Sequence, residues 1–274
     1  MVVAGIRIYP VKSLGGVDVE RAEVEPWGLR HDRRWALTDP DGLLLTAREQ
    51  HTMLSVTAVP FADGSIELRR NRASLRVEPP VDGEPMPLSI SRLDTVRHAG
   101  NDADAFLSEA LRRPVRLGWL DDPRRRSVSA EHGGLPGDTV NLNDTAPLLV
   151  TTDASLRRLN DWIVEEAVEH GEEPPEALPM IRFRPNVIVA GCDQPFAEDD
   201  WSELRIGEVP FRFSEHCDRC VLTTIDPETL VGGKEPLRTL ARHRRWAGKA
   251  WFGARFVPRA TGVIGVGDAI GAAG

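Results

Sequence analysis

Short runs that alternate between hydrophobic and polar residues dominate the first hundred positions. Residues 2–9, 17–24, 34–38 and 43–47 each read as a strand, and Asp39-Pro40-Asp41-Gly42 supplies a turn between the last two, so that pair predicts a hairpin. Further short strands are predicted at 54–59, 65–68, 75–77 and 94–97. Asn101 then offers an N-cap for a short helix with Ala105, Phe106, Ala110 and Leu111 on one stripe, ended by Pro114. A domain boundary is expected just after it, at residue 117. Residues 121–144 are polar, Gly/Pro-punctuated and without period, and read as a long loop in which Arg124-Arg125-Arg126 is a solvated run. A strand at 147–151 follows, then a helix starting at Asp153 with Leu156, Leu159, Trp162, Ile163 and Ala167 at spacings of three and four. Strands at 186–190, 203–206, 209–213, 221–225, 251–257 and 262–266 and a helix at 236–245 complete the pattern. The expected fold is mainly β with a few helices: an N-terminal β domain over 1–117 and a second β domain over 118–274.

Composition narrows the class. Hydrophobic residues at 41% and charged residues at 28% fit a globular chain. Its 34 Lys and Arg against 42 Asp and Glu leave a formal charge of −8, which argues against a nucleic-acid or anionic-membrane coat. Three cysteines, at 192, 217 and 220, cannot build a disulfide framework and point to a reducing, cytoplasmic setting. The apolar start carries no basic leader, and no apolar run is long enough to span a bilayer, so neither export nor a membrane span is expected.

The sharpest chemical signal is Cys217-Asp218-Arg219-Cys220. Structural zinc needs more ligands than the neighbouring sequence offers. A redox dithiol wants a helix N-terminus in a βαβ setting, whereas VLTTIDPET after Cys220 reads as strand and turn. A single thiolate on a soft metal, beside the cation of Arg219, is the third use, and two buried small hydrophobes are the fourth. Lys12-Ser13, at the end of the first strand, offers a charge and a hydroxyl to an anion. Arg33 and Arg34 open another strand on opposite faces, one toward a cleft and one toward solvent. Arg182 and Arg184 form a possible fork beside Asn186, and Thr151, Thr152 and Ser155 lie where a helix start favours anions. Neither a Walker nor a GxGxxG pattern is present, so scattered anion grips of this kind point to an unusual cofactor.

Taken in order, PVKS, DRRW, TDASL, RFRPN, GCDQPFAEDDW and CDRCVLTTIDPET resemble the MOSC family over nearly the whole chain, and within it the two-part members of the amidoxime-reducing type and their bacterial relatives. The resemblance implies an N-terminal β domain paired with a MOSC β-barrel domain and a molybdenum cofactor, a pterin dithiolene bearing a phosphate, held between them. It implies Cys220 as the metal ligand, and Lys12, Ser13, Arg33, Arg184 and Asn186 as cofactor contacts. Thr152, Ser155, Asp218 and Arg219 fall on neighbouring positions, Asp218 as a candidate proton carrier with a solvated carboxylate as the alternative. The implied activity is reduction of small N-hydroxylated compounds such as amidoximes or hydroxylaminopurines. No iron–sulfur cluster is expected in this chain, so the electrons would come from a separate ferredoxin-like or haem protein with its reductase. No nucleic-acid or membrane partner is expected. A cofactor carrier or sulfur-transfer module is the second reading, and a thiol-redox or zinc protein the third. The chain departs from the family at Leu230, where Gly usually follows DPET.

Overall fold

The computed structural model describes all 274 residues. They form two compact units, an amino-terminal one of Ile8–Asp18 and Trp27–Pro147 and a carboxy-terminal one of Met1–Arg7, Val19–Pro26 and Leu148–Gly274. The units change over at Pro147/Leu148, beyond residue 117. Arg116–Trp119 is itself a strand, hydrogen-bonded to Trp35–Thr38 on one side and Leu93–His98 on the other, so it continues the first unit.

In the amino-terminal unit those three strands and Pro85–Ile90 form one sheet, and Thr57–Pro60, Ile66–Arg70 and Ala73–Val77 form another. The turn at 39–42 closes as expected: the Asp39 carboxylate accepts from the N–H groups of Asp41 and Leu43, and Gly42 takes a φ of 87°. Helix α1 (Asn101–Leu111) begins one residue earlier in register than the sequence suggested. Gly100 is its N-cap, so Asn101 is the first helical residue. Its buried stripe is Ala103, Leu107, Ala110 and Leu111; Ala105 faces solvent.

The segment 121–144 is a long loop with Arg124 and Arg125 exposed, as expected, but it is packed and Arg126 is not solvated. It contains 3-10 turns at Pro123–Arg125 and Ala130–His132 and buries Val128, Val140 and Leu142, the last in a core with Ala36, Met86, Leu88 and Val96. Arg126 is fully buried. Its guanidinium donates to the carbonyls of Ser91 (3.1 Å), Asn143 (2.7 Å) and Asn141, tying the segment to the sheet.

The carboxy-terminal unit is built on a sheet in the order Ile270–Ala273, Glu203–Ile206, Val209–Asp218, Lys249–Pro258, Leu148–Thr152, Val187–Ala190, Val2–Ile8. Leu148–Thr152 and Val187–Ala190 are parallel. Parallel neighbours cannot be joined by a tight turn, and helix α2 (Asp153–Glu169) makes the crossover. Leu159, Ile163 and Ala167, at spacings of four, bury its inner face; the first two pack with Phe183, Phe252 and Leu240 of helix α3 (Leu237–His243). Gly253 (φ 80°) lets two strands approach closely, since a Cβ there would stand 2.8 Å from Thr151 Cγ2 and 2.9 Å from the Val150 carbonyl. No helix is long and apolar enough to cross a membrane.

Candidate functional site

The CDRC segment lies at the end of strand Val209–Asp218, where strand alternation separates its side chains. Cys217 points inward and is 1% exposed. Asp218, on the opposite face and 39% exposed, lies 3.4 Å from Lys249 Nζ and 3.6 Å from Arg255 Nη1. Cys220 is half-buried. It caps a 3-10 turn, Val221–Thr224, where a strand was expected; its carbonyl accepts from the amide (3.1 Å) and hydroxyl (3.0 Å) of Thr223. None of the three cysteines is in a disulfide.

Arg219 is turned inward rather than outward. Its Nη1 donates to Cys217 Sγ at 2.7 Å and its Nη2 to the Phe183 carbonyl at 2.7 Å, while its Nε is buried with no acceptor. Phe183 ends the 3-10 turn Met180–Phe183, and Arg184 follows in the left-handed region at φ 55°. Asn186 is buried as a strand tie: its amide accepts from Leu149 N–H (3.2 Å) and donates to the Arg7 carbonyl (3.2 Å).

Thr152 and Ser155 are fully buried. Thr152 is the N-cap of α2, its hydroxyl accepting from Ser155 N–H at 3.1 Å. Both hydroxyls also reach the carboxyl of Glu198, Ser155 at 2.8 Å and Thr152 at 3.1 Å. Burial pushes the Glu198 carboxyl above its ordinary pKa, with the hydroxyl contacts opposing. These two hydroxyls are therefore already engaged within the cap.

In the amino-terminal unit, Lys12 and Ser13 follow the first strand, and both are nearly buried. Lys12 Nζ donates to the Leu142 carbonyl (2.9 Å) and pairs with Asp144 (2.5 Å), which also pairs with Arg48 (2.9 Å). Burial lowers the pKa of the Lys12 ammonium, and Asp144 partly restores it. Arg33 has φ 49°; it pairs with Asp32 at 2.5 Å and lies over the Tyr9 ring. Arg34 is half-buried, and its guanidinium donates to the carbonyls of Leu120 and Asp121.

Sequence reasoning missed the residues that organise these groups. Asp32, 1% exposed, accepts from Tyr9 N–H (2.8 Å) and holds Arg33; the amides of Asn141 and Asn143 reach the Asp32 carbonyl (2.8 Å) and carboxylate (3.4 Å). The only signal was the alternation of Val140 and Leu142 with these two asparagines. The fork expected of Arg182 and Arg184 does not form through Arg182. Arg182 instead reaches across to the segment after Cys220, donating to the Thr224 carbonyl (3.2 Å) and pairing with Asp226 (2.8 Å).

These features define a β-rich protein of two units, with a half-exposed thiol beside inward-facing guanidinium groups in one and a buried lysine and arginine in the other. A model of the MOSC N-terminal beta barrel domain matches residues 1–114, and a model of the MOSC domain matches residues 137–271. Human mitochondrial amidoxime-reducing component 1 is 31% identical over 289 residues, covering 98% of this chain and 82% of that protein. Human mitochondrial amidoxime reducing component 2 is 34% identical over 256 residues, covering 88% and 72%. A molybdenum cofactor sulfurase of Solanum lycopersicum is 29% identical over 262 residues, which is 90% of this chain but 32% of the sulfurase. The chain belongs to the MOSC-domain family, as a member with the N-terminal MOSC barrel domain.

Proposed function

We propose that this protein is a molybdenum-cofactor-dependent oxidoreductase that reduces small N-hydroxylated compounds, amidoximes or hydroxylaminopurines, with electrons from a separate carrier protein. The observation that carries the reading is the division of labour in CDRC. Cys217 is sealed in the interior against Arg219, and Cys220 alone presents a thiol at a turn. No three His, Cys, Asp or Glu side chains converge into a protein-built metal site. One thiol donor suits a metal whose other ligands come with its own cofactor, and suits zinc or a dithiol poorly.

The residues fit such a group. In the carboxy-terminal unit Cys220 would supply the thiolate and Arg184 a charge-assisted hydrogen bond to an anionic part of the cofactor; in the amino-terminal unit Lys12, Ser13 and Arg33 are the contacts that the family resemblance implies. The buried Nε of Arg219 is a donor for which the chain provides no acceptor. Thr152, Ser155 and Asn186 act in this reading as cap and strand tie, fixing the elements that carry the contacts. When bound, the cofactor supplies a redox metal for cleaving an N–O bond, the net change being R–NHOH + 2e⁻ + 2H⁺ → R–NH₂ + H₂O. The chain's part is to orient the cofactor and to move protons, for which Asp218, open to solvent, is the proposed carrier.

The test is metal analysis of purified protein, followed by hydroxylaminopurine reduction with NADH alone, with a reduced viologen dye, and with NADH plus a ferredoxin and its reductase. The expected outcomes are molybdenum with a releasable pterin, no rate with NADH alone, and a measurable rate with the other two. Cys220→Ala should abolish the dye-driven rate and Cys217→Ala should retain most of it; equal loss in two folded variants would return the reading to a dithiol. Likeness to the cofactor sulfurase favours a second reading, a cofactor carrier, and full molybdenum loading without turnover would select it.

A further inference from the structure

Two guanidinium groups in the carboxy-terminal unit exchange places. Arg219, beside Cys220, donates to the Phe183 carbonyl on the turn that ends at Arg184 (2.7 Å). Arg182, on that turn, donates back to the Thr224 carbonyl at the end of the turn that Cys220 caps (3.2 Å). Each segment thus holds a backbone carbonyl of the other. The Arg182 half is reinforced by its 2.8 Å ion pair with Asp226, whose other oxygen accepts from the N–H groups of Glu228 (2.9 Å) and Thr229 (2.8 Å). The Arg219 half is anchored on the neighbouring strand, its N–H donating to the Ala250 carbonyl (2.8 Å).

Three residues separate Cys220 from Thr224, and the turn is closed by hydrogen bonds from Thr223 and Ile225. A 3-10 turn this short is weak on its own. Its place is therefore set by its two ends, Arg219 at one and Arg182 at the other.

We propose that Arg182 is a positioning residue for Cys220: with Arg219 it forms a reciprocal clasp that fixes the Cys220 thiol relative to Arg184. The proposal rests on the reading of Cys220 as the metal ligand. Arg182 itself touches neither thiol nor cofactor; it acts through the Thr224 carbonyl and Asp226.

The test begins with full-length cofactor-free protein. Hydrogen exchange over residues 219–226 and site-resolved iodoacetamide alkylation of Cys220 are compared in wild type, Arg182→Gln, Arg182→Lys, Asp226→Asn and a control, Arg158→Gln on the outer face of α2. Loss of a charge-assisted bond predicts exchange about ten-fold faster in Arg182→Gln. Cys220 alkylation should rise with it while Cys217 stays protected. Arg182→Lys should restore part of the effect, because one ammonium can reach one of the two acceptors. Asp226→Asn keeps the acceptor for Glu228 and Thr229 and should give a smaller change in a folded protein. The rate of molybdenum loss from loaded protein should follow the same order. Faster exchange with unchanged Cys220 alkylation and unchanged molybdenum loss would overturn the proposal and leave Arg182 a structural residue. Full molybdenum retention in Cys220→Ala would instead defeat the ligand reading while leaving the exchange and alkylation results intact.

Discussion

Arg126 offers a demanding test of how the amino-terminal unit is held. It is fully buried, and it donates to four backbone carbonyls, of Ser91, Asn141, Asn143 and, at 3.4 Å, Asp144. Arg126→Met keeps an unbranched stem and removes the donors. Each buried carbonyl left without a partner costs about 1–3 kcal/mol, so four cost at most roughly 4–12 kcal/mol. An opposing effect reduces this. Burial is unfavourable for the guanidinium itself and pulls its pKa down to about 10, with the nearby Arg92 charge adding to the shift. Relief of that burial returns several kcal/mol, so the net destabilisation should be about 2–4 kcal/mol. Urea unfolding followed by tryptophan fluorescence should show a midpoint lower by roughly 1 M. The control is Arg124→Met, whose side chain is 73% exposed and should shift stability by less than about 0.5 kcal/mol. Equal midpoints for Arg126→Met and wild type would refute the reasoning and leave Val140 and Leu142 as the groups that hold the segment. The consequence reaches Lys12, because the Leu142 carbonyl and Asp144 that hold its ammonium lie on the same stretch.

Leu230 sits at φ 61°, where a non-glycine residue is strained by about 1–2 kcal/mol; Leu230→Gly relieves that strain but gives the unfolded chain more freedom, which costs about 0.4–1 kcal/mol, so the net effect should be stabilising by up to about 1 kcal/mol, and a lowered melting temperature would contradict this. Glu198 has its pKa raised by burial, so its contribution is complete below the unfolded value near 4.5 and is lost as pH rises through the folded value. Glu198→Gln should therefore gain in urea midpoint relative to wild type between pH 4 and pH 8, and a difference independent of pH would refute the argument. Lys12→Ala and Arg184→Gly should each lose cofactor about ten-fold or more faster on dialysis, against an unchanged Arg124→Ala; equal molybdenum in all three would remove these residues from the site.

What could be read in the sequence follows from the range of the forces involved. The Asp39–Gly42 turn and the buried stripe of α2 are local, set by side chains within a few residues, and the structure contains both. The contrast between Cys217 and Cys220 needed one more fact, the end of a strand between them. Arg126 escapes a sequence reading because three consecutive arginines look alike until the carbonyls around one of them are known, and those carbonyls come from positions 91, 141, 143 and 144. Asp32 and Glu198 escaped for the same reason: a buried carboxyl is recognised by its donors, and apart from Arg33 beside Asp32 these lie far along the chain, Tyr9 23 residues from Asp32 and Ser155 43 residues from Glu198. The membership of residues 2–7 in the carboxy-terminal unit depends on pairing with Val187–Ala190, which no pattern within the first strand encodes.

Backbone strain ties these observations together. Ser13, Arg33 and Arg184 all hold positive φ, at 68°, 49° and 55°. A left-handed C-cap is ordinary, as at Arg112 after α1, and Arg184 caps the 3-10 turn Met180–Phe183 in the same way. At these three a glycine would relax the chain, yet each keeps a polar or cationic side chain, and all three fall within segments that carry the family resemblance. The proposed cofactor contacts would account for side chains kept at these positions. Leu230 is the instructive contrast, an apolar residue at a left-handed position beyond the Cys220 turn, with its N–H bonded to the Asp226 carbonyl. Glycine there should release strain with no loss of cofactor, whereas glycine at Arg184 should release similar strain and lose cofactor. That difference separates a residue tolerated by its loop from one retained for its guanidinium.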